Sequence, residues 1–167
     1  MAKGIDKSLV KPLPKKGNLK QRQNYRTISL ISHSSKIMLR VILSRLRAKA
    51  EEPLAEEQAG FRPGRGTAEQ IFSGRVITEK HLQHQRDLFH NFMDFKKAFD
   101  RVWHKGLWKV LRSFSTEEGL IQAIQLLCEN SSSAVLWNCQ LGKVFKTTVG
   151  VRQGCLLSSI LFNVFRE

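Results

Sequence analysis

The stretch NFMDFKKAFDRVWH, residues 91–104, places the carboxylate of Asp94 at the end of an apolar run. The residues before Asp94 carry apolar side chains on both faces, so 88–95 is predicted to form a buried strand. A carboxylate at the end of such a strand is costly unless a cation neutralises it. That cation is either a neighbouring lysine, Lys96 or Lys97, or a bound divalent metal ion, and these residues alone leave both readings open.

The rest of the chain is predicted to be mostly helical, with one pair of strands. Apolar residues at three- and four-residue steps predict a long helix over 34–50, capped by Ser34 or Ser35. Its apolar stripe is Ile37, Met38, Val41, Ile42 and Leu46. Further helices are predicted at 67–83, 105–113, 116–129 and 155–165. Capping boxes are predicted at Thr67–Gln70 and Ser115–Glu118, and residues 133–151 predict two strands joined by a turn near Leu141-Gly142.

The positive charge lies mainly in the first part of the chain. The net charge is +14, and residues 1–50 hold 13 of the 28 basic residues but only one acidic residue. We interpret residues 1–23 as a basic, largely irregular arm and 24–167 as one domain, since a basic arm on a nearly neutral body suits a polyanion. A solvated basic tail without a ligand is the alternative. The nucleic-acid-binding candidates are Lys15, Lys16, Lys20, Arg22 and Arg26.

Several classes of protein are disfavoured by the composition. No apolar run reaches the roughly 18 residues of a membrane span, so no membrane partner is expected. The N-terminus has no apolar signal core, which makes secretion unexpected. The three cysteines fit no metal-binding spacing and suggest reduced thiols. We therefore expect a nuclear or cytoplasmic protein.

Two glycine-rich loops could bind phosphate. In GFRPGRGTAEQI, residues 60–71, Arg62 and Arg65 precede a helix, an arrangement that suits a phosphate chain. In GVRQGCLLSSILFNVF, residues 150–165, a glycine pair would let the backbone approach a ligand closely. Each loop taken alone also fits a plain turn or an exposed basic loop.

Four stretches in this order carry a family resemblance: NYRTISLISHSSKIMLRVILSRL (24–46), EEQAGFRPGRGTAEQI (56–71), FMDFKKAFDRVWH (92–104) and GVRQGCLLSSILFNVF (150–165). Together they resemble the reverse transcriptase of non-LTR (LINE-type) retrotransposons, over about residues 11–165. The resemblance implies an α+β fold: a partial right hand with fingers and an incomplete palm, and with the thumb absent.

The resemblance also implies roles for individual residues. Asp94 matches the first catalytic aspartate, which binds two Mg²⁺ ions, and the backbone carbonyl of Phe95 matches a second ligand. Phe99 matches the bulky residue that excludes a 2′-hydroxyl. Arg62 or Arg65 matches the arginine that holds the incoming triphosphate, and the residues alone do not decide between them.

In the same family, Gln153 and Gly154 match the loop against the nucleotide and the templating base. The implied partners are an RNA template, a DNA primer and deoxynucleoside triphosphates.

One expected motif is missing. The family's next motif carries two adjacent aspartates that complete the metal site, and no Asp-Asp pair occurs in these 167 residues. We therefore expect a reverse transcriptase domain fragment that is inactive alone. A non-catalytic basic RNA- or DNA-binding module derived from it is the alternative. A third possibility, less favoured, is a polymerase whose metal site is completed in trans by another chain.

Overall fold

The computed structural model describes residues 7–166, which form an α+β structure of four strands and five helices. The strands are β1 (Lys7–Pro14), β2 (Tyr25–Ile31), β3 (Ser132–Trp137) and β4 (Gln140–Lys146). The helices are α1 (His33–Ala50), α2 (Thr67–Gln83), α3 (His104–Ser113), α4 (Glu118–Glu129) and α5 (Ser158–Arg166). Short 3-10 turns lie at Arg22–Asn24 and Phe99–Arg101. Within the described residues, no helix is both long and apolar enough to cross a membrane.

The four strands form one sheet in the order β2-β1-β3-β4. β1 pairs antiparallel with β2 and parallel with β3, while β3 and β4 form an antiparallel hairpin. The predicted irregular arm is therefore wrong for residues 7–14, and its residues 1–6 lie outside the described structure. Two prolines made this stretch look irregular. Pro12 and Pro14 lie beyond the β3 pairing, which stops at Val10, so they occupy an edge position that proline tolerates.

The core lies among four helices, α1, α3, α4 and α5. The core-facing residues of α1 are Leu39, Ile42, Leu46 and Ala50, together with Ser35. Ile37 and Val41, predicted to face the core, are exposed. Ile42 and Leu46 of the predicted stripe are buried as expected. The helix carries more apolar residues than one face can bury, and its packing against α4 and α5 buries Leu39 and Ala50 rather than Ile37 and Val41. Its N-cap is Ser32, not Ser34 or Ser35, because the Ser32 hydroxyl accepts a hydrogen bond from the Ser35 N–H.

Both predicted capping boxes are wrong because their polar side chains make other contacts. The N-cap of α2 is Gly66, and the Gln70 side chain donates instead to the Glu57 carbonyl. The N-cap of α4 is Glu117, and Glu118 accepts two hydrogen bonds from the Arg112 guanidinium. Those bonds lower the pKa of Glu118.

The β3–β4 turn also differs from the prediction. It is formed by Asn138 and Cys139, both at positive φ, rather than by Leu141-Gly142. Two consecutive positive-φ residues make the tight turn that matches the twist of the flanking strands.

The strand predicted at 88–95 is absent. Residues 87–95 form no strand, and their large apolar side chains are exposed, with Phe92 at 90% of its free surface. An extended segment becomes a strand only when a neighbour accepts and donates its backbone hydrogen bonds. Among the described residues, no strand pairs with this segment. The strand predicted from the apolar run is therefore wrong for the described structure, because an apolar run does not itself supply a pairing partner.

Candidate active site

Asp94 lies on the exposed segment that precedes the Phe99–Arg101 turn. Among residues 7–166 its carboxylate forms no ion pair, so neither Lys96 nor Lys97 neutralises it. The alternative in which a neighbouring lysine neutralises Asp94 therefore has no support in the described structure. Asp94 instead lines an open groove of about 440 Å³ between its own segment and the end of α5. The other lining residues are Phe95, Lys96, Ala98, Arg101, Phe162, Phe165 and Arg166.

The loop that carries Gln153 is bonded to the turn that follows Asp94. The Val151 N–H donates to the Phe99 carbonyl at 2.8 Å, and the Gly150 N–H donates to the Val102 carbonyl at 2.9 Å. Gly150 has φ +84, and a Cβ there would lie 2.8 Å from the Phe99 and Asp100 carbonyl oxygens. Only glycine allows this close approach. The two motifs, about fifty residues apart in sequence, are thereby joined.

The same loop is bonded on its other side to β2. The Ser29 N–H donates to the Gln153 carbonyl at 2.7 Å. Gly154 has φ +98, and a Cβ there would lie 2.8 Å from the Ser29 carbonyl oxygen. The glycine pair was expected to let the backbone approach a ligand. In the structure both glycines instead bring the loop against the protein's own backbone, which fixes the position of Gln153.

The loop with the two arginines is attached to the same region through α5 and Phe99. The Asn163 side chain donates to the Gly60 carbonyl at 2.8 Å. The Phe61 ring meets the Phe99 ring edge to face at 6.1 Å, and Phe99 stacks on Phe162 at 5.0 Å. Sequence reasoning missed these supporting residues. A buried asparagine inside the apolar helix α5 was the one signal that could have indicated a specific polar contact.

The two candidate arginines, Arg62 and Arg65, differ in exposure and in the partners of their guanidinium groups. The Arg62 side chain is 7% exposed and pairs with Glu51 at 2.7 Å, and it also donates to the Ala55 and Gln58 carbonyls. Arg65 is 34% exposed and donates to the Glu56 carbonyl, with the Glu56 carboxylate 3.8 Å away. Arg62 is therefore committed to holding its loop, whereas Arg65 keeps an accessible guanidinium.

The predicted nucleic-acid-binding residues are all exposed. Lys15, Lys16, Lys20 and Arg22 lie in the connection between β1 and β2, and Arg26 lies on β2. Within residues 7–166 none of the five forms an ion pair. Arg26 is three residues from Ser29, whose N–H binds the Gln153 carbonyl. The basic connection therefore leads into β2, the same strand that the Gln153 loop contacts.

The described residues supply only part of a metal site. Asp94 offers an exposed carboxylate that forms no ion pair within residues 7–166, which fits a metal ligand, although Lys96, Arg101 and Arg166 line the same groove. No group of three or more His, Cys, Asp or Glu side chains within residues 7–166 is arranged to hold a metal ion. Asp94 therefore fits as one ligand, and the described chain does not complete the coordination.

Comparison with known proteins identifies the family. The profile described as "Reverse transcriptase (RNA-dependent DNA polymerase)" matches residues 13–167. The chain belongs to this family. It is 31% identical over 155 residues to the transposon TX1 uncharacterized 149 kDa protein of Xenopus laevis, covering 93% of this chain and 12% of that protein. The resemblance to retrotransposon reverse transcriptases drawn from the four motifs is thus confirmed.

Two other relatives come from mobile elements of Drosophila melanogaster. The RNA-directed DNA polymerase from mobile element jockey is 31% identical over 145 residues, 85% of this chain and 16% of that protein. The Pol polyprotein from the type-2 retrotransposable element R2DM is 27% identical over 156 residues, 93% of this chain and 14% of that protein. This reverse transcriptase chain therefore spans between 12% and 16% of the length of these three relatives.

Solved structures establish the fold. Apo telomerase from Candida tropicalis, truncated from its C-terminal domain, matches with a TM-score of 0.64 at 16% identity, covering 96% of this chain and 38% of that one. Telomerase from the same organism with a fragment of telomeric RNA gives 0.60 at 13% identity, covering 98% and 32%. The predicted α+β, right-hand polymerase fold is confirmed.

Proposed function

We propose that this chain is the fingers and part of the palm of an RNA-directed DNA polymerase from a non-LTR retrotransposon. The observation that carries the proposal is the convergence of three motifs on one region. The Asp94 segment, the arginine loop and the Gln153 loop are joined by the Val151–Phe99 hydrogen bond and the Phe61–Phe99 contact. A nucleotide site needs these elements side by side, because metal, triphosphate and base are held by different motifs.

Asp94 and the Phe95 carbonyl are the proposed metal ligands, with Mg²⁺ as the proposed ion. When bound, such ions activate the primer hydroxyl and stabilise the leaving pyrophosphate. Since Mg²⁺ prefers octahedral oxygen coordination, one carboxylate and one carbonyl do not complete its site. We therefore propose that these 167 residues alone bind substrates without extending a primer.

Arg65 is the proposed triphosphate ligand among the two arginines. Its guanidinium is accessible, and its Glu56 partner is exposed, so a phosphate can displace the contact at little cost. Arg62 supports the loop from behind through its contacts with Glu51 and two carbonyls. Phe99, held by stacking on Phe162, is the proposed residue that excludes a 2′-hydroxyl.

The proposed partners are an RNA template and a DNA primer. Lys15, Lys16, Lys20, Arg22 and Arg26 would contact their phosphates, and Gln153 with Gly154 would lie against the templating pair. The exposure and the absence of ion pairs at these cations, noted above for residues 7–166, support this assignment. Cations without a carboxylate partner gain most from a polyanion, because they give up no internal contact.

The alternative function is a basic nucleic-acid-binding module that has lost nucleotide binding. The two proposals are separated by adding deoxynucleoside triphosphate with Mn²⁺ to the chain bound to a fluorescent RNA–DNA template-primer. A polymerase site predicts that the complementary nucleotide tightens template-primer binding, and that Arg65→Gln and Asp94→Asn each remove that effect. Equal affinity with matched and mismatched nucleotides, alongside salt-sensitive RNA binding, would favour the binding module.

A further inference from the structure

A basic pocket lies at the far end of α2, outside the site described above. Ile77, Lys80, His81, His84 and Arg86 line a concave surface of about 290 Å³. Two permanent cations and two imidazoles thus face one cavity. Along the helix axis the pocket is about 25 Å from the start of α2 beside Arg65, at 1.5 Å per residue.

The backbone builds this pocket by a specific turn. The Arg86 N–H donates to the His81 carbonyl at 2.9 Å, and the Gln85 N–H donates to the Leu82 carbonyl at 3.1 Å. With Gln85 at φ +49, these two bonds form a Schellman motif that reverses the chain. The reversal brings Arg86 back beside the last turn of α2, next to Lys80 and His84.

Within residues 7–166 the pocket's cations have no internal partner. No carboxylate pairs with Lys80, His81, His84 or Arg86, and the nearby Glu79 is held by Arg75 at 2.8 Å. In the same described region, Nδ1 of His81 is buried without a hydrogen-bond partner. That nitrogen is enclosed, so the groups that an anion from outside the protein can reach are the exposed side chains of Lys80, His84 and Arg86.

We propose that this pocket binds a backbone phosphate of single-stranded RNA, as a contact separate from the nucleotide site. The inference rests on the proposed function only in taking RNA as the ligand. Its chemistry is that of a phosphodiester: one delocalised negative charge accepting from a guanidinium, an ammonium and imidazole N–H groups. At about 3.4 Å per nucleotide, an RNA strand needs roughly seven nucleotides to span the length of α2.

α2 itself favours a role at a surface. None of its residues is buried, so the helix projects its C-terminal end away from the helical core. The same residues could instead serve only to stabilise α2, because cations at a helix C-terminus interact favourably with the helix dipole. That reading predicts an effect on stability and none on RNA affinity, so the two are separable by measurement.

The test compares two double variants of the full chain. Lys80→Gln/Arg86→Gln removes the pocket's permanent charges, and Lys105→Gln/Lys109→Gln removes two exposed cations of α3 as the matched control. Affinity for a 20-nucleotide RNA is measured over a salt series. The pocket variant is expected to reduce the slope of log K against log salt by about 0.7, from one lost phosphate contact, while the control keeps the slope. Equal slopes in both variants and the unmodified chain would overturn the proposal.

A second measurement needs no substitution. The imidazole proton signals of His81 and His84 are followed by NMR while the RNA, or inorganic phosphate alone, is added to the unmodified chain. Shifts at both histidines with RNA at micromolar concentration support the proposal. Shifts with inorganic phosphate but not with RNA, or no shifts at all, contradict it. Failure of the proposed function is a separate outcome. In that case the template-primer affinity would not change when nucleotide is added, regardless of the NMR shifts of His81 and His84.

Discussion

The Val151 N–H and the Phe99 carbonyl oxygen are 2.8 Å apart and hydrogen-bonded. This bond joins the loop that presents Gln153 to the turn that follows Asp94. Both ends are backbone groups, so the contact depends on chain geometry rather than on side-chain identity. The geometry in turn depends on Gly150, whose neighbours leave no space for a Cβ. The relative position of the aspartate and the glutamine loop is therefore set by one glycine.

Gly150→Ala should destabilise the chain by about 2–5 kcal/mol. The variant combines a positive φ with a contact of 2.8 Å to backbone atoms that cannot move aside. Gly119→Ala is the matched control: Gly119 lies in α4 with nothing within 4 Å of the added Cβ, so alanine should stabilise by up to about 1 kcal/mol. Urea unfolding followed by circular dichroism measures both. Similar midpoints for the two variants would contradict the close approach at Gly150.

The two arginines should separate stability from nucleotide binding. Arg62→Gln removes hydrogen bonds to Glu51, Ala55 and Gln58 from a nearly buried side chain and should cost about 2–4 kcal/mol of unfolding free energy. Arg65→Gln should cost less than about 1 kcal/mol, because its contacts are exposed. It should instead abolish the response of the template-primer complex to nucleotide. The reverse pattern would assign triphosphate binding to Arg62.

Asn163→Leu should loosen the arginine loop without unfolding α5. The substitution keeps the branched shape and the number of heavy atoms of the side chain, although leucine is bulkier, and it leaves the Gly60 carbonyl without its 2.8 Å donor. An unpaired carbonyl costs about 1–3 kcal/mol. Hydrogen exchange measured by mass spectrometry should therefore accelerate at residues 58–66 more than in α5. Uniform acceleration across both segments would show that Asn163 does not act on this loop in particular.

Stability should fall at high pH through Cys128. Burial, reinforced by nearby Cys155 and Glu129 and opposed by Arg152, raises the pKa of the Cys128 thiol to about 11. The unfolded chain releases this proton at a lower pH, so the folded state loses stability as pH rises from about 9 to about 11. At about 1.4 kcal/mol per pKa unit the contribution reaches about 2–3 kcal/mol. Urea unfolding at pH 8 and pH 10.5 should show a smaller decrease for Cys128→Ala than for the unmodified chain.

The helices were largely predictable because their signals are local. The start of α2 at Thr67 was placed correctly from a capping box that does not form, and the other helices, placed by apolar periodicity, lie within a few residues of the prediction. The loops that carry Arg65 and Gln153 were also located, because glycine and proline mark turns directly. Their convergence was implied by family resemblance and not by any local pattern.

The two failures in the strands share one physical cause, which is the presence or absence of a pairing partner distant in sequence. β1 was missed because Pro12 and Pro14 suggested irregular backbone, while its pairing with β2 over Ser8–Pro14 and with β3 over Lys7–Val10 makes it a strand. The strand at 88–95 was expected from an apolar run that, within the described residues, has no strand beside it. Both strand outcomes depend on contacts that the local sequence does not encode. The capping box at Ser115–Glu118 fails for a local reason, because Arg112, six residues before Glu118, binds the Glu118 carboxylate instead.

The central claim is that Asp94, Arg65 and Gln153 face one nucleotide site. The most direct test is paramagnetic line broadening in the ¹⁵N-labelled chain bound to a template-primer, with Mn²⁺ and the complementary deoxynucleoside triphosphate added. We predict selective broadening of the backbone amides at 94–96, 64–66 and 152–154, and its loss in Asp94→Asn. Broadening confined to other residues, or unchanged in Asp94→Asn, would contradict the account.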